Sequence, residues 1–72
     1  MYDNYELTLG EVLKEIREFQ GYTQKEVSAQ LNITSQAYSN YENNKRTPDV
    51  EMTRKIAQFF GKTIDQLIEC RY

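Results

Sequence analysis

Three times in this chain a threonine is followed three residues later by a glutamate or glutamine: Thr8-Leu9-Gly10-Glu11, Thr23-Gln24-Lys25-Glu26 and Thr63-Ile64-Asp65-Gln66. In such a capping box the threonine hydroxyl accepts from a backbone N–H inside the first turn, and the acid or amide reaches back to the threonine N–H, so each box starts a helix. Leu7 with Val12, and Tyr22 with Val27, are placed as hydrophobic staples around the first two. Thr34 and Asp49 are plausible N-caps for two more helices. Gly21 and Gly61 stand where helical periodicity stops.

Five helices follow. The first runs from the Thr8 box to near Phe19 and buries Leu9, Val12, Leu13 and Ile16, with Gly10 weakening its first turn slightly. The second opens at Gln24, buries Val27 and Leu31 and ends near Leu31. The third spans Ser35 to near Glu42 with Ala37, Tyr38 and Tyr41 inward. The fourth, capped by Asp49, carries Met52, Ile56, Ala57, Phe59 and Phe60, and the fifth carries Leu67 and Ile68. No strand candidate is longer than four residues, so the fold class is all-α.

With 72 residues, 39% of them hydrophobic, the chain suits one small domain, expected over residues 7–69 with an N-terminal arm at 1–6 and a C-terminal tail at 70–72. A single cysteine, Cys70, excludes an internal disulfide, and the absence of histidine excludes a zinc cluster or His-based catalytic site of the usual kinds. Neither metal nor cofactor is expected, and no enzyme. Cys70, with only Arg71 as a basic neighbour, reads as a free thiol. Apolar runs are a few residues long and residues 1–6 have neither a basic start nor an apolar stretch, so a cytoplasmic protein without membrane contact is expected.

The net charge of −2 argues against binding nucleic acid by bulk electrostatics. Its distribution is uneven: residues 1–22 have a balance of −3, residues 23–55 of +1, and residues 56–72 of zero. The middle, with Lys25, Lys45, Arg46, Arg54 and Lys55, is the part that permits a nucleic-acid face. There the second and third helices are joined by a tight turn at Asn32, a residue type that tolerates positive φ. The outer face of the third helix is Ser35, Gln36, Ser39, Asn40 and Asn43, short amides and hydroxyls rather than the long charged residues usual on a solvated helix. Two short helices, a tight turn and such a face meet the requirements of a helix-turn-helix reader, because an amide offers a donor and an acceptor to adenine and a hydroxyl pairs with a base edge or a phosphate. Asn43-Asn44-Lys45-Arg46-Thr47-Pro48 follows as a basic, turn-rich loop.

From Leu7 to Glu69 the chain resembles the Xre/Cro family of helix-turn-helix regulators, the DNA-binding domain of lambdoid phage repressors. The resemblance rests on Arg17 before Gly21, Tyr22-Thr23-Gln24-Lys25-Glu26-Val27, Ile33-Thr34, Tyr38-Ser39-Asn40-Tyr41-Glu42, Lys45-Arg46-Thr47-Pro48, and Ile56-Ala57 leading to Asp65-Gln66-Leu67. It implies a five-helix lambda-repressor-like domain. By position it implies that Ser35, Gln36, Ser39 and Asn40 read base edges, that Gln24 contacts a phosphate and braces the third helix, and that Asn43, Lys45 and Arg46 bind phosphates. Lys25 is divided between facing phosphate and solvent. Arg17 and Glu42 match a family ion pair. Where the family commonly has glycine this chain has Asn32 and Asn44, and where it commonly has alanine it has Ser28, whose hydroxyl then needs a carbonyl of its own helix.

The expected function is a sequence-specific regulator of transcription that binds double-stranded DNA, a repressor acting as a homodimer on an inverted repeat. Phe59, Phe60, Ile64, Leu67, Ile68 and Tyr72 offer more apolar surface than so small a core readily absorbs, and are divided between a dimer face and core packing. A phage repressor, a restriction-modification controller and an antitoxin fit the resemblance equally. The alternative from another class is a protein-interaction module, or an antitoxin-type partner-binding protein, with DNA binding secondary.

Overall fold

The structure, a computed structural model, describes residues 7–68; the arm at 1–6, Glu69 and the tail with Cys70, Arg71 and Tyr72 lie outside the described residues. Those described form five helices and no strand: α1 (Leu9–Gln20), α2 (Gln24–Leu31), α3 (Ser35–Glu42), α4 (Val50–Phe60) and α5 (Ile64–Ile68). Each starts at a side-chain cap. Thr8 and Thr23 form complete capping boxes with Glu11 and Glu26. Thr63 and Gln66 exchange the same pair of bonds at 3.1 and 2.8 Å. The Thr34 hydroxyl accepts from the Ala37 N–H, and the Asp49 carboxylate from the Met52 N–H.

Three helices end in a left-handed residue. Gly21 (φ 84°), Asn32 (φ 63°) and Gly61 (φ 72°) let the next residue fold back, so that Tyr22, Ile33 and Lys62 donate to the carbonyls of Arg17, Ser28 and Ala57. The chain thus turns sharply after α1, α2 and α4, and successive helices cannot stack into one rod. The core lies where they converge: Val12, Leu13 and Ile16 of α1, Val27 and Leu31 of α2, Tyr38 of α3, Ile56, Ala57 and Phe60 of α4, and Leu67 of α5. Here α1 packs on α3 and α5, α2 on α3 and α4, and α4 on α5. Leu9, Ala37 and Tyr41, expected inward, are half-buried.

One reading is extended and one open alternative is divided. Gly10 is more than a weak point in a helix. A Cβ there would meet the backbone carbonyls of Glu42 and Tyr41 and the Asn44 side chain, so its bare backbone admits the end of α3 against the start of α1. Phe60 and Leu67 are buried in the core and are not available to a dimer face. Phe59 is half-buried, its ring between Tyr22 and Phe60. Ile64 is half-buried and Ile68 exposed.

Candidate nucleic-acid interface

The orientation of α3 is set by an ion pair on its last residue. The Glu42 carboxylate, its side chain 1% exposed, accepts from Arg17 Nε at 2.6 Å and Arg17 Nη2 at 3.1 Å, a two-pronged contact that fixes the plane of both groups. A third hydrogen bond comes from Gln24 Nε2 at 2.9 Å. Arg17 also donates from Nη1 to the Tyr22 carbonyl in the turn between α1 and α2. One carboxylate therefore ties the end of α3 to the last turn of α1 and the first residue of α2.

Burial by itself would raise the Glu42 pKa, but hydrogen bonds from Arg17 and Gln24 and the Arg17 charge outweigh it and hold the carboxyl below its ordinary value. The hydrogen bond to Glu42 likewise raises Arg17, against the opposing effect of burial. Tyr38 reaches the same place from the core. Its hydroxyl is buried, and burial first, then the adjacent Glu42 carboxylate, raises its pKa. With its charge neutralised inside the domain, Glu42 presents no free anion beside the outer face of α3.

That outer face is a short ladder of amides and hydroxyls. Gln36 Nε2 donates to Asn40 Oδ1 at 3.1 Å and Asn43 Nδ2 to Ser39 Oγ at 3.2 Å, each pair one turn apart. The first bond uses one of Gln36's two amide hydrogens, leaving Gln36 a donor and its carbonyl, and Asn40 both amide hydrogens, enough for paired contacts to a purine edge. Gln36 and Asn43 are exposed, Ser39 and Asn40 half-buried. Ser35 is exposed, but its Oγ lies 3.4 Å from the Ser28 Oγ, at the crossing of α2 and α3. Ser28 donates at 2.9 Å to the Lys25 carbonyl of its own helix, the bond its buried position requires.

Beyond α3 the chain stays folded on the helix end, where the Lys45 and Arg46 N–H groups both donate to the Asn40 carbonyl. Asn43, Lys45 and Arg46 are exposed there. Lys25 is exposed on α2, and Gln24 is half-buried against Glu42. The residues named from the sequence thus gather on α3, the loop after it and the start of α2, while Arg17 and Glu42 lie beneath them. Two participants were missed. The Tyr22 carbonyl has no sequence signal, because any residue supplies one. Asn44, with φ 60°, bonds to α1 through its side chain across 34 and 36 residues, a contact that no local spacing signals.

Among the described residues no group of three or more Asp, Glu, Cys and His could hold a metal ion, and no helix is long and apolar enough to cross a membrane. Residues 10–69 match the family described as "Helix-turn-helix domain". The chain is 40% identical over 62 residues to the HTH-type transcriptional regulator ImmR of Bacillus subtilis (strain 168), covering 86% of this chain and 49% of that protein. It is 37% identical over 60 residues to the SPbeta prophage-derived uncharacterized HTH-type transcriptional regulator YonR of the same strain, covering 83% and 56%. The HTH-type transcriptional activator BcrR of Enterococcus faecalis is 32% identical over 62 residues, covering 86% and 30%. The chain spans about half the length, or less, of these curated relatives. A crystal structure of a transcriptional regulator from Listeria innocua superposes with a TM-score of 0.79 at 22% identity, over 89% of this chain and 60% of that one, and shares the fold. By its sequence match, this chain belongs to the helix-turn-helix domain family and is of the Xre-like regulator type.

Proposed function

We propose that this chain reads double-stranded DNA in a sequence-specific manner as part of a transcriptional regulator, with the exposed edge of α3 in the major groove. The observation that carries this is the combination of an amide-and-hydroxyl edge with a neutralised Glu42 directly behind it: polar groups face outward, and the nearest acid is spent on Arg17 and Gln24. In this reading Gln36 and Asn40 contact base edges, with Ser39 and Ser35 beside them. Asn43, Lys45 and Arg46, with Gln24 and Lys25 across the groove, hold phosphates and set register. The chain acts by binding and carries out no reaction.

Repression follows if the site overlaps a promoter and bound protein excludes polymerase. The relative BcrR bears the name of an activator. A homodimer on an inverted repeat is the assembly proposed, since two readers on half-sites about 34 Å apart turn two weak contacts into one strong one. An apolar groove lined by Leu9, Pro48, Val50, Thr53, Ile64 and Ile68, on the α4 and α5 side of the domain, supports it.

The test is fluorescence anisotropy on duplexes enriched from a random pool, at several salt concentrations. Gln36→Ala is expected to relax base preference at one position, costing about 1–3 kcal/mol against the best site. Lys45→Ala is expected to weaken all duplexes alike and to flatten the salt slope by about one. Identical behaviour of the two variants would remove the division into base readers and phosphate contacts, and failure to enrich any sequence would remove the reading as a whole.

A further inference from the structure

The loop that carries Lys45 and Arg46 is pinned to the start of α1. Asn44 Oδ1 accepts from the Gly10 N–H at 3.0 Å, and Asn44 Nδ2 donates to the Thr8 hydroxyl at 2.9 Å, across 34 and 36 residues of sequence. The Gly10 N–H is one of the donors that the start of α1 leaves without a helical partner, and Thr8 supplies only the cap to Glu11. Asn44 therefore completes the cap of α1 from outside the helix. Three features converge on this contact: the left-handed backbone of Asn44 (φ 60°) aims its amide at α1, both ends of that amide are bonded, and Gly10 leaves no room for a Cβ against the end of α3.

We infer that Asn44 is a positioning residue for DNA binding: its clamp on Thr8 and Gly10 holds the Asn43–Arg46 loop in the shape in which it meets phosphate. This rests on the DNA-reading proposal above. Asn44 itself need touch no DNA. The physical reason is preorganisation, because a loop already held in its bound form loses less conformational freedom on binding than one that must be ordered. Rigid attachment to α1 also makes the loop move with α3, so base-edge and phosphate contacts keep one register.

Asn44→Gly is the informative variant, since glycine takes the same backbone at no steric cost and removes both side-chain bonds. Gln20→Ala, which removes the side-chain bond to the Phe60 carbonyl away from both the loop and the α4–α5 groove, serves as a control for loss of a long-range hydrogen bond. Both are titrated by anisotropy onto an enriched duplex at several salt concentrations, with 15N relaxation of the Lys45 and Arg46 amides in the free proteins. Asn44→Gly is expected to lower the order parameters of those two amides, flatten the salt slope by about one and weaken binding about tenfold near 0.1 M salt, with base preference retained. Gln20→Ala is expected to change none of these. Unchanged relaxation and affinity in folded Asn44→Gly, or equal losses in both variants, would overturn the role of Asn44 while wild-type binding left the DNA reading standing. Absence of duplex binding by the wild-type protein would overturn the DNA reading and this role with it.

Discussion

At Glu42, removal of one charge acts on two partners at once. Glu42→Gln strands the Arg17 guanidinium, and breaking a buried pair from one side costs about 3–5 kcal/mol. Replacing both, as Arg17→Met with Glu42→Leu, is expected to recover most of that loss in urea denaturation, because no unpaired charge remains buried. The pH dependence has a definite sign. Glu42 titrates below its unfolded value, so its contribution is full above the ordinary carboxylate range, about pH 4.3, and is lost as pH falls through the lowered pKa. The doubly substituted protein is expected to lose stability less steeply on that acid side. Gly10 offers a second contest of effects. Helix propensity alone favours Gly10→Ala by about 1 kcal/mol, whereas the missing space beside the carbonyls of Tyr41 and Glu42 predicts a loss of about 1–3 kcal/mol. A lowered melting temperature for Gly10→Ala shows that contact prevails.

Among the elements, α3 depends most on its ends. It has eight residues, and its N-terminal side-chain cap is the Thr34 hydroxyl, so Thr34→Ala is expected to cost about 1 kcal/mol, measured as a lowered urea midpoint at unchanged slope. The helix starts and the Asn32 turn were legible in the sequence because they are local: Thr8 with Glu11, Thr23 with Glu26 and Thr63 with Gln66 lie within one turn of each other, and their bonds follow from spacing. The outer face of α3 was legible for the same reason, by composition. What escaped were contacts between distant residues. Asn44 with Gly10, and the Gln20 amide donating to the Phe60 carbonyl at the end of α4, depend on how helices converge, which no local pattern encodes. The division of the C-terminal apolar residues was hidden likewise: Phe60 and Leu67 go inward and Ile68 outward because α5 crosses both α1 and α4.

For the whole molecule, charge and assembly decide how strongly DNA is held. A chain with net charge −2 gains little from long-range attraction, so one domain alone is expected to bind weakly and two in concert strongly. Ile68, 61% exposed, and Val50, 69% exposed, edge the apolar groove where a second copy is proposed to pack. Ile68→Glu is expected to leave the melting curve nearly unchanged but to shift sedimentation on an inverted-repeat duplex from two bound copies to one. Two copies still bound by Ile68→Glu would place the dimer contact elsewhere. Phe19, 90% exposed on α1, lies beside a separate depression with Ile16 and Gln20.

The short connections carry a consequence for how such a domain can change over evolutionary time. Arg17 spans from α1 to the Tyr22 carbonyl and to Glu42, while three residues separate α1 from α2 and three separate α2 from α3. Inserting or deleting a residue in either connection would swing α3 around its axis and carry Glu42 away from its guanidinium. With Asn44 fastened to α1, even the stretch after α3 is fixed in length through that position. Between α1 and α4, length variation therefore falls to Thr47 and Pro48, and new specificities arise by exchanging side chains on a reading unit of constant size.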